Sequence, residues 1–196
     1  TWQRGEWFFA ETFGYRHMIQ AVRWMETGRD PFAPIKRGEV QGDRFRQLIA
    51  AARDVEGSFT DRLGLLLAYD LWGNRVDLSH PASDLADKAA DEDDLLVDDR
   101  EAVVRYLASA GGNGAQTGGA IHVVVDNAGT ELALDLVLVD LLLAESGSSI
   151  VLHVKPHPIY VSDTTAGMQA VEHSGVAVIG RNNETGQRVW SADWGY

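Results

Sequence analysis

A chain of 196 residues is long enough for one large domain or two small ones, and its 45% hydrophobic content supplies an ordinary core. A net charge of −12 argues against nucleic acid as a partner, because polyanion binders are basic. The lack of cysteine excludes disulfides and thiolate metal sites, no apolar run reaches the ~18 residues of a membrane span, and no signal peptide is visible, so a cytoplasmic protein without a membrane partner is expected.

The first hundred residues read mostly as helix. Trp7, Phe8, Ala10, Glu11, Tyr15, Met18, Ile19, Val22 and Trp24 recur at roughly helical spacing. Asp30-Pro31 breaks that pattern and Pro34 reinforces the break. Val40 to Val55 predicts a helix with Phe45, Leu48, Ile49 and Ala52 on one face, and Thr60 to Leu71 predicts a leucine-rich one. Gly73-Asn74 is a turn signal, and Ser79-His80-Pro81 is a second break. Acids are dense from Ser83 to Glu101, but no glycine interrupts them as a calcium loop requires, so the run reads as a solvated face. Asp99 to Ala108 predicts another helix.

Gly111 to Gly119 is glycine-rich. A phosphate-cradling loop follows its strand and opens a helix, whereas this stretch precedes one, so it reads as a linker. Beyond it the pattern alternates. Ile121–Val125 predicts a strand, Thr130–Glu145 a helix, Ser149–Val154 a strand, Ile159–Val161 a short extended piece, Thr164–His173 a helix and Val176–Ile179 a strand. Such alternation implies an α/β fold with a mainly parallel sheet. Three or four strands are few, and no further strand is expected before Tyr196, so the sheet reads as cut short.

The candidate chemistry lies at strand ends. Asp126 and Asn127 close the first strand and supply a carboxylate and an amide oxygen, the donors a hard cation prefers. Gly129 permits a tight turn, and Thr130 is a reasonable cap for the next helix. The amides of that helix start would favour an anion. Glu131 and Asp135 lie one turn apart on one side, with Glu131 nearer the site. Asp135 and Asp140, in an otherwise apolar helix, are expected to cap or to pair with arginine. Lys155, in Lys155-Pro-His-Pro158, is placed to ground a phosphate or pair with Asp126, and His153 and His157 are candidate ligands that are more often packed at such positions. Asp163 parallels Asp126 one βα unit later, and Thr164-Thr165 reads as a helix cap.

The stretch from Val125 to Leu132, followed by Asp135-Leu136, resembles the signature of the metal-dependent damage-control phosphatases, once catalogued as domain of unknown function 89. The acidic-residue methyltransferase-like subfamily is the nearest match. Phe9-Ala10-Glu11 with Tyr15-Arg16, Asp30-Pro31-Phe32 with Lys36, Leu71-Trp72-Gly73-Asn74-Arg75 with Asp77-Leu78-Ser79, His153-Val154-Lys155 and Val161-Ser162-Asp163 are similar to further family segments in the same order.

The resemblance implies an α-helical subdomain, residues 1–115, followed by the first half of a Rossmann-like α/β/α domain, residues 116–196. It implies a divalent cation (manganese, cobalt, nickel or magnesium) held by Asp126, Asn127 and Asp163. Asp126 and Asp163 would be the catalytic acids. Asp126, Asn127 and Glu131 would touch a small phosphorylated substrate such as fructose 1-phosphate or fructose 6-phosphate, and Lys155 joins them as a substrate-binding candidate. Family members run to roughly twice this length and carry later phosphate-gripping motifs that are not found here. Two rival readings are an inactive metal-binding fragment and an S-adenosylmethionine-dependent protein-glutamate methyltransferase. The latter lacks a glycine loop after its first strand.

Overall fold

A glycine and a proline shape the N-terminal half of the chain. The computed structural model describes residues 5–71, 95–111, 120–146, 148–165, 178–181 and 188–192. Helix α1 spans Trp7–Ala21, and a left-handed Arg23 (φ 53°) separates it from the single turn α2, Trp24–Thr27. Gly28 ends α2 in the left-handed conformation that glycine adopts most cheaply. Helix α3, Ala33–Val40, was not expected. Pro34 reads as a breaker in sequence, but it lies in the first turn of α3, where its missing N–H costs nothing.

Helix α4, Asp43–Arg53, buries Phe45, Leu48 and Ala52 on the predicted face. Helix α5, Phe59–Leu71, starts at Ser58, which exchanges hydrogen bonds with Asp61: Ser58 N donates to Asp61 Oδ2 at 3.1 Å and Asp61 N to Ser58 Oγ at 3.2 Å. Helix α6 is Arg100–Gly111 and α7 is Thr130–Glu145. Helix α7 buries Leu134, Val137, Leu138, Val139, Leu141 and Leu142, apolar positions that spread over more than half of its circumference, as in a helix packed on more than one side.

Strands β1, Ala120–Val124, and β2, Ser149–His153, pair in parallel, with Ile121 opposite Ile150 and Val123 opposite Leu152. Helix α7 makes the crossover between them. The α/β class with a helical N-terminal part therefore stands. Strands β3, Val178–Arg181, and β4, Arg188–Ala192, form an antiparallel pair, so the expectation of no strand after residue 179 is corrected.

One hydrophobic cluster joins Leu48, Ala52, Leu63 and Leu66 of the helices to Val125, Leu134, Val139 and Leu152 of the α/β part. Leu63 and Val139 are both 0% exposed. Truncating such a leucine to alanine typically costs about 2–5 kcal/mol, so this contact binds the two parts firmly.

Ile159–Val161 is bend and turn rather than extended strand, and Thr164-Thr165 opens no helix among the described residues. Thr165 instead bridges Lys155 in parallel fashion. The Gly73-Asn74 turn, most of the acidic run, the glycine-rich linker and the rest of the helix expected over 164–173 lie outside the described residues. Among the described residues no helix is long and apolar enough to cross a membrane.

Candidate functional site

Main-chain pairing beyond the ends of β1 and β2 assembles the site. Val125 N still donates to His153 O at 2.9 Å, and then the chain turns. Thr164 N donates to Asp126 O at 2.9 Å, Ala128 N to Ser162 O at 2.6 Å, and Asn127 bridges Asp163 in antiparallel fashion. Lys155 N donates to Thr164 O at 3.2 Å. Residues 126–128, Lys155 and residues 162–165 are thereby laid side by side, although 37 positions separate the two acids (163 − 126).

Three predicted side chains meet there. The Lys155 ammonium donates to Asp163 Oδ1 at 2.6 Å, to Asp126 O at 3.2 Å and, in a close ion pair, to the Asp126 carboxylate. The Asp163 side chain is 2% exposed and that of Asp126 63%, so the pair has a sealed wall and an open one. Asp163 Oδ2 accepts Ile159 N at 2.7 Å and Tyr160 N at 2.8 Å, which compensates a carboxylate held out of water. Burial disfavours the Lys155 ammonium, but its hydrogen bonds to Asp126 and Asp163 outweigh that and hold its pKa above the ordinary lysine value.

Asn127 and Glu131 form a second group. Asn127 Nδ2 donates to Glu131 Oε2 at 3.0 Å, Asn127 N to Glu131 Oε1 at 3.3 Å, and Ser162 Oγ to Asn127 Oδ1 at 2.8 Å. Glu131 thus faces the site through Asn127.

The amides at the start of α7 were expected to await an anion, but protein acceptors already engage three of that turn. Asn127 N serves Glu131, Ala128 N serves Ser162, and Thr130 N donates to Glu39 Oε1 at 2.9 Å, as does Thr130 Oγ1. Gly129 makes this possible: its φ is +82°, and a Cβ there would collide with the Glu39 carboxylate.

Behind Glu131 lies a pair of acids. Asp135 is buried and interacts with Asp70 of α5, rather than with the arginine expected from sequence. Burial first, then the charge of Asp70 and the hydrogen bond between them, and lastly Glu131, push the Asp135 pKa up to about 8. Burial also raises that of Asp70. Both shifts run the same way, toward the protonated form of the pair. Asp140 is exposed and reaches no arginine among the described residues.

Neither candidate histidine joins the acids. His153 is exposed at the end of β2 rather than packed as expected, its Nε2 2.7 Å from His122 Nδ1, and His157 lies beside Trp24. Glu39 carried no signal as a site neighbour, because Thr130 lies 91 positions away, and Ser162 stood in a recognised segment without any local sign that it would reach Asn127. Lys36 and Asp30 belonged to a recognised segment, but nothing local showed that Lys36 would reach Asp163.

Among the described residues no three His, Cys, Asp or Glu side chains converge as a ready metal cage. The donors at hand are two carboxylates and the Asn127 amide. They suit a hard cation completed by water or substrate oxygen. A single positive group, the Lys155 ammonium, touches both carboxylates, so their spacing fits one cation.

The sequence model of the damage-control phosphatase ARMT1-like domain matches residues 4–169, and the chain belongs to that family. Among its relatives is the damage-control phosphatase ARMT1 of Danio rerio, 30% identical over 191 residues, a match that covers 84% of this chain and 42% of that protein. The ARMT1 protein of Homo sapiens is 27% identical over 187 residues, with the same two coverages, 84% and 42%. That of Xenopus laevis is 26% identical over 216 residues and covers 93% and 48%. The chain thus spans less than half the length of these relatives.

Proposed function

We propose that this chain provides the cation-binding part of a metal-dependent phosphatase acting on small phosphorylated metabolites, with sugar phosphates such as fructose 1-phosphate or fructose 6-phosphate as substrates. One observation carries the reading: Asp126 and Asp163, from separate segments, share a single positive charge. Family membership supports the reaction class.

Asp126, Asn127 and Asp163 would hold a divalent ion such as manganese, cobalt, nickel or magnesium. When bound, that ion would polarise the phosphoryl group and neutralise its charge. Asp163, sealed and fixed by two amides, orients the site from below. Asp126 lies open to solvent, where a substrate arrives. Lys155 supplies the mobile positive charge for the phosphate, and Glu131, anchored by Asn127, offers a carboxylate to substrate hydroxyls. In a protein of net charge −12, such local positive charge is what lets a phosphate approach. A cytoplasmic setting suits a chain with no cysteine. A methyltransferase reading draws no support here, because the turn after β1 has one glycine, Gly129, and Glu39 covers it.

Manganese binding by calorimetry and phosphate release from fructose 1-phosphate test the proposal together. Asp126→Ala and Asp163→Ala should each abolish stoichiometric manganese binding, while Asp87→Ala leaves it intact. Retention of the metal by both site variants would overturn the ligand assignment. Metal binding without turnover, with turnover restored in a longer chain, would assign this chain the cradle alone.

A further inference from the structure

Helix α3 belongs to the helical part, yet two of its side chains end on the two segments that carry the candidate ligands. Lys36 and Glu39 are three residues apart and share one face of α3. Lys36 is 4% exposed, and its Nζ donates to the main-chain oxygen of Asp163 at 2.5 Å and to Asp30 Oδ2 at 2.8 Å. Asp30 is itself fixed by Phe32 N, 2.8 Å from its Oδ1. Glu39 reaches the other segment, where Oε1 accepts both Thr130 N and Thr130 Oγ1 at 2.9 Å. A buried ammonium is costly without all its partners, so α3 has one favourable seating.

We propose that Lys36 and Glu39 are positioning residues for the cation site, setting from one helix the spacing between the Asp126 turn and the Asp163 turn. The inference rests on the cation reading above. Neither residue touches Asp126 or Asp163 by a carboxylate: Lys36 grips a main-chain carbonyl, and Glu39 grips the start of α7, four residues beyond Asp126. Their effect is therefore preorganisation. With both tethers in place, the two carboxylates stand at a fixed separation before the ion arrives. With one tether lost, binding must also order a loosened turn. Loss of such supporting partners typically weakens metal affinity about 10–100-fold.

The test measures manganese affinity of the full chain by calorimetry, with circular dichroism confirming that each variant is folded. Glu39→Ala removes the acceptor and, because Glu39 is an exposed residue, leaves the core untouched. Glu39→Gln keeps a carbonyl oxygen for Thr130. Lys36→Met removes the other tether. Glu39→Ala and Lys36→Met should each bind manganese at least ~10-fold more weakly, with Glu39→Gln within ~3-fold of the unsubstituted chain. In Glu39→Ala, amide exchange at Thr130 should also accelerate without metal. Wild-type affinity in folded Glu39→Ala overturns the inference, whatever Lys36→Met does. An unsubstituted chain that binds no manganese overturns the cation reading itself, a separate and recognisable result.

Discussion

Replacing Lys155 with methionine separates two consequences of the same contact. The Lys155 side chain is 25% exposed and bridges Asp163, whose side chain is 2% exposed, to the open Asp126. Removing one partner of a fully buried ion pair costs about 3–5 kcal/mol. Asp163 retains its amide bonds from Ile159 and Tyr160, and Lys155 is partly solvated, so a smaller loss of about 1–3 kcal/mol is expected. For a protein of this size that corresponds to a melting temperature lower by roughly 2–12 °C. With manganese the sign should reverse. In the unsubstituted chain an ion must displace an ammonium from both carboxylates, whereas in Lys155→Met it need not. Manganese should then bind about tenfold tighter, a gain of about 1.4 kcal/mol, while phosphate release falls. Thermal melts across a manganese titration read both effects. Weaker or unchanged manganese affinity in a folded Lys155→Met protein would refute the idea that the ammonium occupies a cation position.

The two site acids should differ in stability. Asp163→Ala strands the amides of Ile159 and Tyr160 and should cost about 2–5 kcal/mol in urea unfolding, whereas Asp126→Ala, at an open position, should cost less than ~1 kcal/mol. Gly129→Ala forces a side chain into φ +82°, ψ −132° and against Glu39, so a loss of about 1–3 kcal/mol is expected, and a neutral result would contradict the backbone conformation. The Asp135 carboxyl has a folded pKa raised to about 8 from 3.8, so the native state binds more protons than the unfolded state between those values. Its stabilising effect is complete below about pH 4 and is lost as pH rises toward 8, at a slope of at most about 1.4 kcal/mol per unit. Asp135→Asn should flatten that slope in unfolding curves at pH 5, 6.5 and 8, and a slope unchanged by the substitution would exclude Asp135 as its source.

Elements set by local pattern were readable. Leucine spacing in Thr60 to Leu71 gave α5, and the β-branched run before Asp126 gave β1. Helix α3 was obscured because a proline reads alike whether it ends a helix or begins one. The convergence of Asp126 and Asp163 was expected from two βα units in series, but the geometry differs. Asp163 ends a turn bridged to Asn127, not a strand. The pairing of Asp135 with Asp70, two like acids, depends on burial that no local pattern reports. Glu39 reaching Thr130 across 91 positions belongs to the same class.

The packing of α7 against α4 and α5 also sets an order of events during synthesis. Leu63 and Leu66 leave the ribosome before α7, which begins roughly sixty residues after Leu71. At ~5–20 residues per second, the part of the leucine face that α7 covers waits about 3–12 s for that helix. During that interval the nascent chain exposes a sticky amphipathic surface, the kind that holdase chaperones bind.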